Sequence, residues 1–145
     1  MLGIVKIPIK GVSGLVIDDD DRCRALIVHL LTAMNFEHVW SAQDGAEGLR
    51  LAVQHQPTIV TTDLAMAPID GLMFLAGLRA SGDDKIAKIP VFIFTAHHDL
   101  TAAKRAKALG ANGFFLKESS AAELSEKIAD AAIKREAALS RSRLG

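Results

Sequence analysis

Four carboxylates stand in a row at Asp18, Asp19, Asp20 and Asp21, directly after the apolar run GLVI at 14–17. Like charges at that spacing repel one another and resist desolvation, so they either splay into water or gather around a cation. Other apolar runs also end in polar residues: TIVTT (58–62) is followed by Asp63, PVFIFT (90–95) ends in Thr95 and GFFLK (113–117) ends in Lys117. Brought together, Asp18, Asp19 and Asp63 make an oxygen-rich site for a hard divalent cation. Mg²⁺ suits it best, because that ion takes few carboxylates, keeps waters and leaves room for a phosphate oxygen. Lys117 supplies the counter-charge that holds Asp63 ionised and receives phosphate oxygens, and Thr95 can donate a hydrogen bond to a phosphoryl oxygen. Such a set suits phosphoryl transfer to a carboxylate, where positioning and charge neutralisation supply most of the rate.

These groups meet only if the strands carrying them are neighbours. After residue 12 the chain alternates five times between a short β-type run and a helical pattern. The runs are GLVI (14–17), HVWSA (38–42), TIVTT (58–62), PVFIFT (90–95) and GFFLK (113–117). The intervening helical stripes are Leu26, Leu30 and Met34; then Ala46, Leu49 and Val53; then Leu72, Leu75 and Leu78; then Leu100, Ala103 and Leu109, stopping at Gly110. A last helix starts at Ser119 or Ser120 and places Leu124, Ile128 and Ala132 in register. The first, third and fourth strands are almost continuously apolar, as expected when helices cover both sheet faces. The expectation is an α/β, flavodoxin-like (βα)5 doubly wound parallel sheet of strand order 2-1-3-4-5, joined by right-handed crossovers. In such a sheet ligands bind at the carboxyl ends of the strands, where the acids, Thr95 and Lys117 all fall.

The chain's 145 residues fit one domain, and the apolar half of its composition holds only 5% aromatics, which suits closely packed helices on a sheet. Lys plus Arg balances Asp plus Glu at 17 each, so neither nucleic acid nor an anionic membrane is expected as a general partner. Cys23 is alone, which rules out an internal disulfide and fits a reducing, cytoplasmic setting. No stretch approaches a membrane span.

The motifs LVIDDD, TIVTTDLAMAPIDGL, IPVFIFTA and ALGANGFFLK, in this order and spacing, resemble the CheY-like receiver domains of two-component response regulators, over about residues 13–135. The resemblance implies that Asp63 is the phosphoacceptor, taking its phosphoryl group from a histidine kinase or a histidine phosphotransfer protein. It further implies that Asp19 and Asp63 ligate Mg²⁺ directly, Asp18 through water, with the Ala65 backbone carbonyl as a further ligand. The family's switch pair falls on Thr95 and Phe114, and Ala96 is small as phosphate access requires. Asp20 and Asp21 match no ligand position and are expected to open the first helix, where the dipole favours carboxylates. Output is expected through protein contacts with a downstream target on the helices after the fourth and fifth strands and on the fifth strand itself. A homodimer is compatible with this reading.

The chain departs from the family pattern at two places. The usual Met-Pro after the acceptor reads MAP, with Pro68 one position late, and the usual Lys-Pro is Lys117-Glu118. His97 occupies a position that in the family faces the phosphorylation site, where it can affect how fast water reaches the phosphoaspartate. Two other functions compete: a phosphorylation-independent receiver-like adaptor, and a haloacid-dehalogenase-like phosphatase built on the Asp-x-Asp of VIDDDDR. Outside the repeat, residues 1–12 are expected to form an added edge strand or to be disordered, and 136–145 to be the end of the last helix. With no room for an output domain in 145 residues, the expectation is a stand-alone receiver.

Overall fold

Runs rich in β-branched and aromatic residues form the strands, and the segments between them, each opened by an Asp or Ser cap, form the helices. In the computed structural model, which describes residues 3–144, the order is β1 (Ser13–Ile17), α1 (Asp21–Ala33), β2 (His38–Ala42), α2 (Gly45–His55), β3 (Ile59–Asp63), α3 (Gly71–Arg79), α4 (Asp84–Ala87), β4 (Val91–Thr95), α5 (Leu100–Ala108), β5 (Gly113–Leu116) and α6 (Ala121–Leu144). All five strands are parallel and lie in the order β2-β1-β3-β4-β5. β3 and β4 are buried along their whole length, as a strand covered on both faces must be.

Side-chain alternation splits the core into two layers. Ile17, Val60, Val91 and Ile93 face α2, α3 and α5, together with Leu72, Leu75 and Ala106. Val16, Ile59, Phe92 and Phe94 face α1 and α6, packing on Leu30, Leu31, Leu124 and Ile128. Caps fix where the helices begin: Asp44 accepts from Glu47 N–H at 2.8 Å, Asp70 from Met73 N–H at 2.8 Å and Ser120 from Glu123 N–H at 3.1 Å.

Two expectations about packing change, and one helix is new. Among the described leader residues, 3–12, no edge strand forms. Pro8 has no N–H to give a ladder, and the apolar residues have a better burial site on the α1/α6 layer. Ile7 and Val12 are buried there, Ile7 N–H donates to Met34 C=O at 2.9 Å, and Val5 N–H donates to Ser125 Oγ at 2.9 Å. Leu26, Val53 and Leu100 are exposed, not core. On α2 the buried residues are Gly45, Gly48 and Ala52, and on α5 they are Ala102 and Ala106, so small side chains set the inward face and the larger ones turn out. α4 has no counterpart in the sequence reading, since four residues are too few to show a period.

α6 runs unbroken to Leu144, and two side chains tie its later turns to the body. Thr58 Oγ1 donates to Glu136 Oε1 at 3.1 Å, and Arg135 donates to the Lys85 carbonyl. No helix among the described residues is long and apolar enough to cross a membrane.

Candidate functional site

Alternation decides which strand-end residues meet. Asp18 follows Val16, Asp63 follows Thr61 and Lys117 follows Phe115 by two positions, so all three stand on the α1/α6 side of the sheet. Ladder-type hydrogen bonds carry this alignment past the strand ends: Asp18 N–H to Ala42 C=O at 3.1 Å and Lys117 N–H to Thr95 C=O at 2.8 Å. Carboxylate oxygens of Asp18, Asp19 and Asp63 all lie within 4.8 Å of one another. Lys117 Nζ sits between two of these residues, 3.3 Å from Asp18 Oδ2 and 3.4 Å from Asp63 Oδ1. Asp18 and Asp63 are buried, whereas Asp19 faces solvent.

The row of four acids divides as its surroundings dictate. Asp20 caps α1, its Oδ1 accepting from Arg22 N–H at 2.9 Å and Cys23 N–H at 3.0 Å, which holds its carboxyl below the usual range. Asp21 lies in the first turn and pairs with Arg24 at 2.6 Å. The Asp-x-Asp needed by a dehalogenase-like phosphatase would have to use Asp20, and that carboxylate is committed to the helix.

Burial pushes the Asp63 carboxyl up, and the neighbouring Asp18 charge adds to this; Lys117 opposes both but does not cancel them. For Lys117, burial works against the ammonium, yet Asp63 and Asp18 outweigh it and raise its value. The site therefore holds an excess of negative charge around a single lysine. A hard cation supplies what this donor set lacks: carboxylate oxygens without nitrogen or sulfur ligands, partly open to solvent, fit Mg²⁺.

Of the remaining expected site residues, Ala65 lies beside the acids, whereas Thr95 and Phe114 stand on the other face of the sheet. Ala65, two residues beyond Asp63, lines with Asp19 and Met66 an open hollow of about 600 Å³. Thr95 is buried at the end of β4, on the sheet face opposite Asp63, its hydroxyl donating to His97 C=O at 3.2 Å and accepting from His97 N–H at 3.3 Å. Phe114 shares that face and is half-buried against the α5 layer. The only cis peptide among the described residues is Ala67-Pro68, so Lys117-Glu118 is trans, and Ser119 N–H closes the turn onto Leu116 C=O at 3.0 Å.

Two positioning residues escaped the sequence reading. Arg24 donates to the Asp18 backbone carbonyl at 2.8 Å while holding Asp21, which ties α1 to the end of β1. Gly71 brings α3 against the acceptor loop: a Cβ there would overlap the Asp63 carbonyl oxygen, and Gly71 N–H donates to Leu64 C=O at 2.9 Å. The Asp-Gly pair was visible in the sequence, but the close approach that requires glycine was not. Below the acids lies a pocket of about 80 Å³ bordered by Thr61, Cys23 and Phe94. Its lining is mainly apolar, with Val16, Ile17, Leu26 and Ile27 beside Phe94, and Thr61 Oγ1 has no protein partner there. Burial raises the Cys23 thiol, consistent with an inert cysteine.

An open parallel sheet with acids, a hydroxyl and a lysine at its carboxyl ends is suited to handling a phosphoryl group. The chain belongs to the response regulator receiver domain family, whose model matches residues 15–129. It is 32% identical over 108 residues to a probable chemotaxis protein CheY of Rhizobium etli, covering 74% of this chain and 82% of that one. Among solved structures it resembles the N-terminal domain of a Wolinella succinogenes protein, with TM-score 0.78, 29% identity, and 88% and 98% of the two chains covered. It also shares the fold of CheY from Borrelia burgdorferi, solved with CheX, BeF3 and Mg²⁺, with TM-score 0.73, 22% identity, and 81% and 86% covered.

Proposed function

We propose that Asp63 accepts a phosphoryl group from the phosphohistidine of a histidine kinase or histidine phosphotransfer protein, with Mg²⁺ held by Asp18, Asp19, Asp63 and the Ala65 carbonyl. The observation that carries this reading is the Lys117 ammonium within 3.4 Å of both buried acids, in a cluster of three carboxylates. An Asp63 oxygen attacks phosphorus in line, the P–O bond forms as the P–N bond breaks, and the electron pair leaves with the imidazole, which takes a proton from solvent. Lys117 turns from the Asp63 carboxylate toward the new phosphoryl oxygens, and Thr95 gives up its His97 contact to donate to another. Held by Asp18, Asp19, Asp63 and the Ala65 carbonyl, Mg²⁺ would supply charge neutralisation at the acceptor.

Residues 13–135 are the receiver unit in this reading, with the strap 3–12 packed on it and the largely exposed end of α6 continuing from it, in a cytoplasmic protein. Output runs through α5, β5 and α6, where Leu100 is 72% exposed beside a groove of about 450 Å³ that also borders Phe114 and Glu123. When Thr95 moves, Phe114 turns inward and reshapes that groove for a downstream protein. Its ring lacks a hydroxyl, so burial drives the inward state. His97 sets how readily water reaches the phosphoaspartate.

The test is labelling with a small phosphodonor and Mg²⁺, followed by intact mass. Asp63→Asn should remove the label while the domain stays folded. Equal labelling of the variant would reject Asp63 as acceptor, and a domain that never labels but still binds partners would favour the adaptor.

A further inference from the structure

The chain is neutral overall, yet its charges separate along the strand axis. Acids crowd the carboxyl ends of the strands, and cations gather at the opposite end, where β4 and β5 begin. There a groove of about 470 Å³ runs between α6 and the residues entering those strands. Lys88, Lys127, Lys134 and Arg135 border it, against one carboxylate, Asp130, which is already paired with Lys134 at 3.0 Å. Lys127 has no carboxylate within ion-pairing distance among the described residues, and Lys88 reaches only the exposed Asp84, at 3.7 Å.

Arg135 forms no salt bridge among the described residues, the neighbouring Glu136 carboxylate offsetting only part of its burial. Its guanidinium donates to the Lys85 carbonyl, which carries no formal charge, and its Nε is buried with no acceptor. The nearby Arg79 guanidinium spends its bonds on the carbonyls of Ala87, Ile89 and Gly110 and on Asn112 Oδ1, none of which carries a formal charge. Asn112 contributes in its own way. Its carbonyl oxygen accepts from Val91 N–H at 2.9 Å and from Arg79 at 3.2 Å, which leaves its NH₂ as the free end at the groove. Apart from the paired Asp130 and the engaged Asn112 oxygen, the side-chain polar groups bordering the groove are donors.

The floor is apolar. Ala131 and Ala138 form a strip beside the lysines, with the buried Pro90 beneath it, and from Lys127 to Ala138 the helix rises about 16 Å. Small side chains on α6 leave the space open, and the volume lies in the range of about 300–1,000 Å³ typical of small-ligand clefts. Lysines placed around such a strip suit a compact, multiply charged group of tetrahedral oxygens attached to a flat body.

We propose that this groove binds a nucleotide-like organophosphate carrying at least two negative charges, with its phosphates on Lys127, Lys134 and the Asn112 amide and its ring on Ala131 and Ala138. The site lies at the far end of the sheet from Asp63, and the proposal stands whether or not Asp63 is phosphorylated.

The experiment is titration of the isotopically labelled full chain with ADP, followed by amide NMR, with adenosine and inorganic pyrophosphate as separate arms. ADP should give saturable shifts at the Asn112 side chain and at Ala131 and Ala138; pyrophosphate should bind more weakly, and adenosine should not bind. The double substitution Lys127→Gln, Lys134→Gln should weaken ADP by about tenfold or more, a loss of about 1.4 kcal/mol or more. Its spectrum away from the groove should not change, since both side chains are exposed. Absence of saturable shifts up to about 5 mM ADP would overturn the proposal. So would equal affinity in the folded double variant, or tighter binding of a short DNA duplex than of ADP at the same residues.

Discussion

Replacing Asp63 by Asn should stabilise the metal-free domain, although it removes an ion pair. Lys117 lies 3.4 Å from Asp63 Oδ1, an attraction of about 5 kcal/mol at an effective dielectric near 20. Asp18 offers an oxygen within 4.8 Å, a repulsion of about 3.5 kcal/mol on the same scale, and the solvent-facing Asp19 adds about 1 kcal/mol more. Attraction and repulsion nearly cancel. What remains is the cost of keeping a largely buried carboxylate ionised, which puts the gain on substitution at about 1–2 kcal/mol. For a domain of this size that raises Tm by about 3–6 °C. The pH dependence has a definite sign: because the folded state raises the Asp63 carboxyl above its unfolded value, the native state binds more protons between the two values, and stability falls as pH rises through that window. Thermal melts of both proteins in chelator, from acid to neutral pH, give the assay. The wild type should lose stability through that window, and Asp63→Asn should lose less and gain less from added Mg²⁺. A folded variant with lower Tm at neutral pH would refute the reasoning, because Lys117–Asp63 attraction would then outweigh burial and repulsion.

Asp19→Ala should cut phosphodonor labelling at limiting Mg²⁺ by about tenfold or more, whereas Asp21→Ala, which loses only its pair with Arg24, should leave labelling near the wild-type level; calorimetric Mg²⁺ titration separates the two. Gly71→Ala should destabilise the fold by about 2–3 kcal/mol in urea melts and slow labelling, because the added Cβ collides with the Asp63 carbonyl rather than with a side chain that can turn away. A beryllofluoride phosphate mimic should shift amides from His98 to Glu118 as well as those of the Asp63 loop. Changes confined to that loop would reject output through Phe114 and point to a partner surface nearer the phosphorylation site.

Much of the sheet was legible because strands buried on both faces leave continuous apolar runs, and because polar residues ending such runs have few reasons to be there. Asp18, Asp63 and Lys117 were found by position alone, and alternation then puts them on one face. The division of the acid row was also readable, since a carboxylate opening a helix has work to do at the cap. Helical spacing reads less clearly. It identified stripes through Leu26, Val53 and Leu100, but the inward stripe is the one that lets a helix sit close to the sheet, and on α2 and α5 that stripe is made of Gly and Ala. The strap was illegible for a related reason. IVKIPIK alternates like a strand, and only the free groove over α1 and α6 decides that Ile7 is buried without a ladder. Gly71 and Arg24 act through backbone atoms of residues distant or adjacent in sequence, and a pattern of residue types carries no trace of that.

The central claim is that Asp63 carries the phosphoryl group. The most direct measurement is phosphotransfer from a histidine kinase in Mg²⁺, trapping of the acyl phosphate by borohydride reduction, and peptide mass mapping of the chain. A reduced residue at position 63, absent without Mg²⁺ and absent in Asp63→Asn, is the predicted result. A trapped label at Asp18, Asp19 or any other carboxylate, or phosphate on a serine, threonine or histidine in its place, would contradict the account.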